Sequence, residues 1–363
     1  MDVSGQSTTF LPSPTGTRAL ERRLTDRVLR SLNVGQRLIA SRLPTLAAAL
    51  DDMSHECEAA VLTHPELIHW QTRFNQVLRE GFPPGQLETA AVSLDAALHI
   101  AKQSVRRTNR IDTQLDSPAA RHLLAQAVRR ILFRHTGAAP AFGQVDAAPV
   151  RPDSETRRLL NEALAQIAQT WPDMHDELST LVRAVVLFDE GSAPAGRVTM
   201  LTDSHYHGAF FLSTSYLKRR AEAGLLAYDL IHEATHTYLN ALLLSGVKLF
   251  RHSTGRLYAT ALRPDPRPLS GVFHQLLVLA RAVEFSARTN RPEFAAASRP
   301  GPFSPGGTDL SVDDVIASYL RLLRDEAPLT EFGVMLLDSV AERVARPGPT
   351  RSVAPRTARQ GAP

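Results

Sequence analysis

The sequence predicts a mainly α-helical protein of the α+β class, a helical bundle with a small β-sheet. Apolar residues recur at helical spacing over most of the chain, first at Leu20, Leu24 and Val28. Two short runs, 197–201 and 209–213, instead contain β-branched or aromatic residues, which are typical of strands. Few strands among many helices indicate a small sheet packed against the helices.

Composition divides the chain into five expected segments. Residues 1–18 are polar and contain prolines, so we expect a disordered N-terminus, followed by an N-terminal helical region over 19–137. Residues 138–152 are rich in Ala, Pro and Gly, which indicates a linker. The segment 153–345 is expected to be a metal-binding catalytic domain, for reasons given below, and 346–363 to be a disordered tail.

The expected elements follow one another along the chain. Helical periodicity covers 18–50, 65–78, 87–105, 119–133, 154–170, 173–188, 225–244, 270–288, 312–323 and 329–344. The two short strands are separated by a turn at 203–208. We expect 258–267 to be irregular, because prolines at 264 and 266 are incompatible with a helix interior.

Composition also excludes several classes of protein. The net charge of +4 is small for 363 residues, and no basic stripe with interleaved aromatic residues indicates nucleic-acid binding. No run approaches 18 apolar residues, and residues 1–18 lack the apolar core of a secretory signal, so we expect a cytoplasmic protein without a membrane span. Cys57 is the single cysteine, so a metal would need nitrogen and oxygen ligands.

The most informative feature is the segment His232-Glu233-Ala234-Thr235-His236, an H-E-x-x-H pattern inside the helix expected at 225–244. A helix advances about 100° per residue, so the two histidines lie about 40° apart on one face and can bind one divalent metal. The flanking sequence is strongly apolar, and a buried polar cluster without a partner would be costly there. This pattern predicts a zincin-like metal-site helix.

The third ligand does not follow the known zinc-protease patterns. The metzincin pattern requires Gly at 239 and His at 242, but both positions are leucine. No Asp or Glu occurs between Glu233 and Asp265, which excludes a thermolysin-like glutamate about 20 residues downstream.

The downstream candidates for a third ligand are His252, Asp265, His274 and Glu284. His274 and Glu284 share the helix expected at 270–288 but lie about 15 Å apart along its axis, so one metal cannot readily take both. The residues alone leave this choice open, with a lean to Glu284 because an isolated buried carboxylate is costly. An internal ion pair with Arg281 is the alternative interpretation of Glu284.

Ordered segments around the motif resemble a known family, the HExxH-type peptide β-hydroxylases. These are iron- and 2-oxoglutarate-dependent enzymes that modify ribosomally made precursor peptides. The resemblance covers about 159–344 and lies in 208–213, 230–236, 258–268, 271–274 and 283–285. Its most specific part is the arginine- and proline-rich segment 263–268, although Leu262 stands where the family commonly has tryptophan.

The resemblance implies that His232, His236 and Glu284 hold Fe(II) and leave positions for 2-oxoglutarate and O2. A dicarboxylate cosubstrate requires a cation at its distal end, and a guanidinium binds it with two parallel hydrogen bonds. Arg267 is the preferred candidate for this contact. Arg263 and then Arg281 are the further candidates. The substrate implied is a precursor peptide hydroxylated at a side-chain β-carbon.

Two other functions stay open at the level of sequence. In a zinc-dependent metallopeptidase, Glu233 would be the general base that deprotonates metal-bound water. In the oxygenase, Glu233 is not needed as a base and would orient a ligand or the substrate. A non-catalytic peptide-binding protein is the second alternative.

Overall fold

The computed structural model describes residues 10–83, 85–107, 111–136, 147–189, 199–220, 222–261, 263–292 and 311–345. For residues 107, 130–136, 220 and 263–265 it describes the backbone only. The expected tail at 346–363, most of the expected linker and the first nine residues therefore lie outside the described residues.

In the described residues before the linker, the named elements of the N-terminal half are all helices. It contains α1 (Pro14–Ile39), α2 (Pro44–Glu56), α3 (Ala59–Leu62), α4 (Pro65–Arg79), α5 (Gln86–Arg107) and α6 (Pro118–Thr136). Several of these helices start with proline, whose fixed φ suits the first helical turn. A core of aliphatic side chains with Trp70 and Phe74 joins α1 to α5.

The C-terminal half surrounds one long apolar helix. It contains α7 (Ser154–Thr170), α8 (Pro172–Leu181), α9 (Thr214–Arg220), α10 (Ala223–Leu244), α11 (Leu269–Thr289), α12 (Val312–Glu326) and α13 (Glu331–Ala345). The mainly helical α+β class is thereby confirmed. Among the described residues, no helix combines the length and apolar character that crossing a membrane requires.

A four-stranded mixed sheet has the order β1-β2-β4-β3, from β1 (Ala148–Pro149), β2 (Ala184–Asp189), β3 (Met200–Thr202) and β4 (Ala209–Ser213). The central strands β2 and β4 are parallel, and β3 is an antiparallel edge strand. A separate hairpin pairs β5 (Tyr258–Thr260) with β6 (Arg263–Arg267). The expectation of a small sheet is confirmed.

The prediction of one helix over 173–188 is wrong, because α8 ends at Leu181 and β2 follows. β2 is buried on both faces between α-helical layers, so its sequence is a continuous apolar run. Such a run has no period that distinguishes a strand from a buried helix.

The segment expected to be irregular at 258–267 instead forms β5 and β6. Proline is compatible with a strand whose N–H positions do not all pair, and a two-stranded hairpin has only edge strands. The prolines of β6 therefore exclude a helix without excluding a strand.

Residues 10–17 are ordered, which corrects the expected disorder for that part of 1–18, while residues 1–9 lie outside the described residues. Phe10 is buried, its N–H donates to Ser339 Oγ (3.0 Å), and its carbonyl accepts from Arg281 Nε (2.9 Å). The Ser13 hydroxyl accepts from the N–H of Gly16 and caps α1. The composition of 1–18 gave no sign of the two partners of Phe10, Ser339 and Arg281, which lie more than 250 residues away.

The N-terminal region is packed on the rest of the protein. α1 contacts α8 and α10, and α6 lies beside β1 on the sheet. Glu66 of α4 accepts hydrogen bonds from Ser117 and from Tyr206, which lies in the turn between β3 and β4. The linker prediction is also corrected in part, because residues 148–149 form the edge strand β1.

His207, in the turn before β4, gives the protein an expected acid sensitivity. Burial, with the nearby charge of Arg183, lowers the pKa of His207 to about 4. The unfolded histidine has a pKa of about 6.5, so between pH 6.5 and 4 the unfolded state binds more protons. The stability that the neutral, buried His207 contributes is fully present above pH 6.5 and is lost as the pH falls toward 4.

We therefore expect urea unfolding of the wild type to lose about 2–3 kcal/mol from this group between pH 6.5 and 4. His207→Asn should flatten that part of the pH profile. His205→Asn, at an exposed side chain two residues away, is the matched control and should keep the wild-type slope. Parallel profiles for all three proteins would contradict the assignment.

Candidate metal centre

α10 is buried along most of its surface and open along one stripe. Between residues 224 and 242, the residues that are not buried are Leu225, His232, His236 and Asn240. The last three are spaced by four, so they share one face of the helix. The two motif histidines therefore face a region that solvent and a ligand can reach.

His274 of α11 lies against His236, the second histidine of the motif. The ring centroids of His232 and His236 are 5.1 Å apart, and those of His236 and His274 are 5.6 Å apart with nearly parallel planes. The Nδ1 atoms of His236 and His274 are separated by 3.3 Å. This distance is that of a hydrogen bond between the two rings, and it is also close to the separation of about 3.4 Å between two nitrogens bound to one tetrahedral metal.

The protonation state of His274 suits metal binding. Burial lowers its pKa to about 4, so the imidazole is neutral near pH 7. A metal binds the neutral form of histidine. Three imidazoles thus come together where the sequence predicted two.

Glu284 lies elsewhere on α11. Its Oε1 accepts from Arg288 Nε and its Oε2 from Arg343 Nε, both at 2.6 Å, and the side chain is buried. Both oxygens thus pair with cations from α11 and α13. The structure does not bring Glu284 to the histidines, whereas His274, the alternative third ligand, lies beside His236. The alternative pairing of Glu284 with Arg281 is also wrong.

The donor set of three imidazoles fits a divalent metal in its chemistry. Among the described residues, however, no group of three or more His, Cys, Asp or Glu side chains is positioned to hold an ion. Since three imidazoles are neighbours on two packed helices, rotation of side chains is the change that metal binding would require.

Glu233 points away from the open stripe, toward the sheet. Its Oε2 accepts a hydrogen bond from the Thr202 hydroxyl, and its Oε1 is 3.9 Å from His232 Nε2. Burial raises the pKa of Glu233 to about 7. The Thr202 hydrogen bond opposes this shift, and the neighbouring Asp229 adds to it. Asp229 is also buried and accepts from the Tyr216 hydroxyl at 2.8 Å.

Sequence reasoning missed Thr202 and Tyr216, the two hydroxyl donors. Thr202 is the last residue of β3, one position beyond the strand expected at 197–201. Tyr216 lies in α9, for which no helix was expected. A search for hydroxyl residues beside a helix with two carboxylates four apart could have suggested such donors, but it could not have identified them.

Arg281, one of the three candidates for cosubstrate binding, is a structural residue. It is buried, donates to both oxygens of Glu177 (2.5 and 3.1 Å) and to the Phe10 carbonyl, and its guanidinium lies over the Tyr238 ring. These contacts occupy the guanidinium N–H groups that a carboxylate ligand would need. Arg281 is therefore excluded as a cosubstrate residue.

Arg267 lies at the entrance to the helix that carries His274. A Cβ at Gly271 would be 3.5 Å from Arg267 Cβ and 3.6 Å from its Cδ, so the arginine extends along the first turn of α11. Gly271 precedes His274 by three residues and lies on the same side of the helix. Arg263, at the start of β6, has a side chain outside the described residues.

Comparisons with known proteins add no family to this description. No family model matches the chain, and no curated protein is similar to it. The function is therefore inferred from the residues and their geometry.

The buried ion pair of Arg281 and Glu177 allows a direct test of whether Arg281 is a structural residue or binds the cosubstrate. Arg281→Met leaves a buried carboxylate without its partner and should lower the free energy of unfolding by about 3–5 kcal/mol, measured by urea denaturation. Replacing both partners, with Arg281→Met and Glu177→Leu, should recover most of that loss. Loss of cosubstrate binding with unchanged stability would contradict a structural role.

Proposed function

We propose that the protein is a non-haem Fe(II)- and 2-oxoglutarate-dependent oxygenase that hydroxylates a side-chain β-carbon of a ribosomally made precursor peptide. One observation carries the proposal. The open stripe of α10 presents His232 and His236 beside His274, and Arg267 lies at the start of the helix that bears His274. The resemblance in 208–213, 230–236, 258–268, 271–274 and 283–285 supports the same chemistry.

His232, His236 and His274 would hold the iron. Bound iron would supply the activation of O2, with 2-oxoglutarate as the co-reductant and succinate and CO2 as its products. Neutral imidazoles suit Fe(II), and the burial that keeps His274 unprotonated keeps it ready to bind. The exposure of His232, about one third of its side chain, leaves room for further ligands on the open side.

Arg267 would bind the distal carboxylate of 2-oxoglutarate. The side chain passes Gly271 in the first turn of α11, where the lack of a side chain leaves it room. A guanidinium fixed by the β5–β6 hairpin would hold a dicarboxylate in one orientation. Glu233 would not contact the cosubstrate, because its carboxyl is buried on the sheet side.

A zinc-dependent metallopeptidase is the second candidate, and the position of Glu233 Oε1, 3.9 Å from His232 Nε2, is the observation that favours it. To act as the general base, the buried Glu233 carboxyl would have to leave Thr202 and turn toward the open stripe. Zn(II) accepts the same three imidazoles. We place the oxygenase first because a peptidase would have no use for Arg267 and would not account for the sequence resemblance.

The deciding experiment tests which reaction the protein catalyses on one peptide with each metal. The protein is purified anaerobically and supplied with Fe(II) and 2-oxoglutarate, or with Zn(II) alone, after coexpression with a precursor peptide encoded beside it. The oxygenase should add the mass of one oxygen to the peptide and release succinate. Cleavage with Zn(II) would establish the peptidase, and retained binding without any product would establish a peptide-binding protein.

The third ligand is tested by a pair of variants on α11. Loss of a hydrogen bond that supports a metal ligand weakens metal binding about 10–100-fold. His274→Ala removes a proposed ligand itself, so it should weaken Fe(II) binding by more than that. Glu284→Gln should keep the metal affinity while lowering the urea midpoint, because Arg288 and Arg343 lose a charged partner. Metal loss confined to Glu284→Gln would restore the carboxylate as the ligand.

The role of Arg267 is tested by calorimetric titration of 2-oxoglutarate into the Fe(II)-loaded protein under nitrogen. Arg267→Met removes a charge-assisted hydrogen-bond donor, so affinity should fall about 10–100-fold. Arg256→Met, which removes an exposed arginine two residues before β5, is the matched control and should bind as the wild type does. Equal affinities for all three proteins would exclude Arg267 as the cosubstrate residue.

A further inference from the structure

We propose that the exposed face of α1 binds an acidic segment of the precursor peptide and holds it beside α10. This surface, the arginine face, consists of Arg18, Arg22, Arg27, Arg30 and Arg37. The inference rests on the proposed function in one respect, because it takes the substrate to be a peptide. It requires neither a metal nor a cosubstrate.

The arginine face is the outward side of α1. The buried residues of the helix recur at three- and four-residue spacing from Thr17 to Ile39 and face the core. The five arginines lie on the remaining side and are exposed. Arg22, Arg30 and Arg37 lie within about 80° of one another around the axis, and successive members are about 10–12 Å apart along it. These three side chains can therefore contact one extended ligand.

α1 carries a large share of the positive charge of the protein. Six arginines and two acids lie in Pro14–Ile39, an excess of four positive charges that equals the net charge of all 363 residues. One of the acids, Glu21, accepts a hydrogen bond from Arg183 (2.5 Å). Arg18 and Arg22 are four residues apart, and like charges at that spacing destabilise a helix. The charge does not help the helix to form, whereas an external anionic partner would account for it.

The arginine face has little to neutralise it. Within the part of the chain that the structure describes, none of its five arginines forms an ion pair with an acid. Arg37 donates only to the carbonyl of Asn33 in its own helix. Elsewhere on the surface, Arg121 and Arg158 each pair with a neighbouring acid. The guanidinium groups of the arginine face can therefore bind external carboxylates, each with two parallel hydrogen bonds.

The surroundings favour a peptide over a nucleic acid or a membrane. α1 contains no aromatic residue on which a base could stack. Asp26 lies among the arginines and would repel a phosphate backbone, which carries a charge at every nucleotide. Val34 and Leu38 are 47% and 52% exposed and offer contacts to apolar side chains of a peptide. The main apolar stripe of α1 is buried in the core, so it cannot enter a bilayer.

The position of α1 connects the arginine face to the candidate metal centre. Leu20 of α1 shares a hydrophobic core with Tyr238 and Leu242 of α10, and the two helices are in contact. A bound segment is thus held on a helix that packs directly against the one carrying His232 and His236. An extended peptide rises about 3.3 Å per residue, so carboxylates three or four positions apart match the spacing of the arginines.

The test measures fluorescence anisotropy of a labelled synthetic peptide with Glu at every third position, titrated with the full-length protein without metal. Combining Arg22→Gln, Arg30→Gln and Arg37→Gln removes three charged donors, so affinity should fall at least about 10-fold. The affinity of the wild type should also fall as salt is raised, because the arginines are exposed. The same peptide with Gln in place of Glu should not bind.

A matched control removes the same amount of charge elsewhere. Arg121→Gln, Arg158→Gln and Arg324→Gln together also lower the net charge by three, at exposed arginines outside α1. This variant should bind the Glu peptide as the wild type does. An equal loss of affinity in both triple variants would show that net charge alone attracts the peptide, which overturns the proposal.

Charge reversal separates recognition from a structural role. Arg22→Glu, Arg30→Glu and Arg37→Glu together should reject the Glu peptide and bind its Lys counterpart. The proposal is overturned if the wild type does not bind the Glu peptide, or if it prefers a thymidine oligonucleotide or phosphatidylserine vesicles. Such a result leaves the oxygenase proposal standing, because the assay contains no metal. Peptide binding without hydroxylation would instead overturn the oxygenase and keep the arginine face.

Discussion

The position of α10 depends on the burial of two carboxyl groups inside an otherwise apolar helix. Glu233 and Asp229 are both buried, where an unsatisfied carboxyl would cost several kcal/mol. Hydroxyl groups from β3 and α9 satisfy them. The helix can therefore pack in one rotation, and that rotation places His232 and His236 on the open stripe.

The hydrophobic cores on either side fix the same helix along its length. Its first half packs with α7, α8 and one face of the sheet, and its second half with α11, α12 and α13. Since cores of this density tolerate little movement, the helix is a rigid support for side chains on its open stripe. The same packing sets His274 against His236, because α11 shares the second core.

Much of the fold follows from local pattern. The bounds of α10 and α11 agree with the sequence to within two residues, because long helices with a continuous apolar period leave little choice. β4 was also expected at its observed position. β2 and the β5–β6 hairpin were not, since a fully buried strand has no distinguishing period and proline excludes a helix more clearly than it identifies a strand.

The site was less predictable than the fold because partner choice is a long-range property. The pattern of α11 leaves open which of its polar side chains meets the histidines. Arg281 pairs with Glu177 about 100 residues earlier, and Glu284 pairs with Arg343 about 60 residues later. Once those two cations and their carboxylates are matched, His274 is left to face α10. No spacing rule within a single helix contains that information.

The hydrogen bond from the Phe10 N–H to Ser339 joins parts of the chain separated by 329 residues. During synthesis, the beginning of the protein emerges long before α13 exists, so this contact is among the last to form. Until then the Phe10 side chain remains exposed to solvent, because the core that buries it is incomplete. Nascent chains that stop short of α13 should leave their first residues open to proteases even when α10 has already folded.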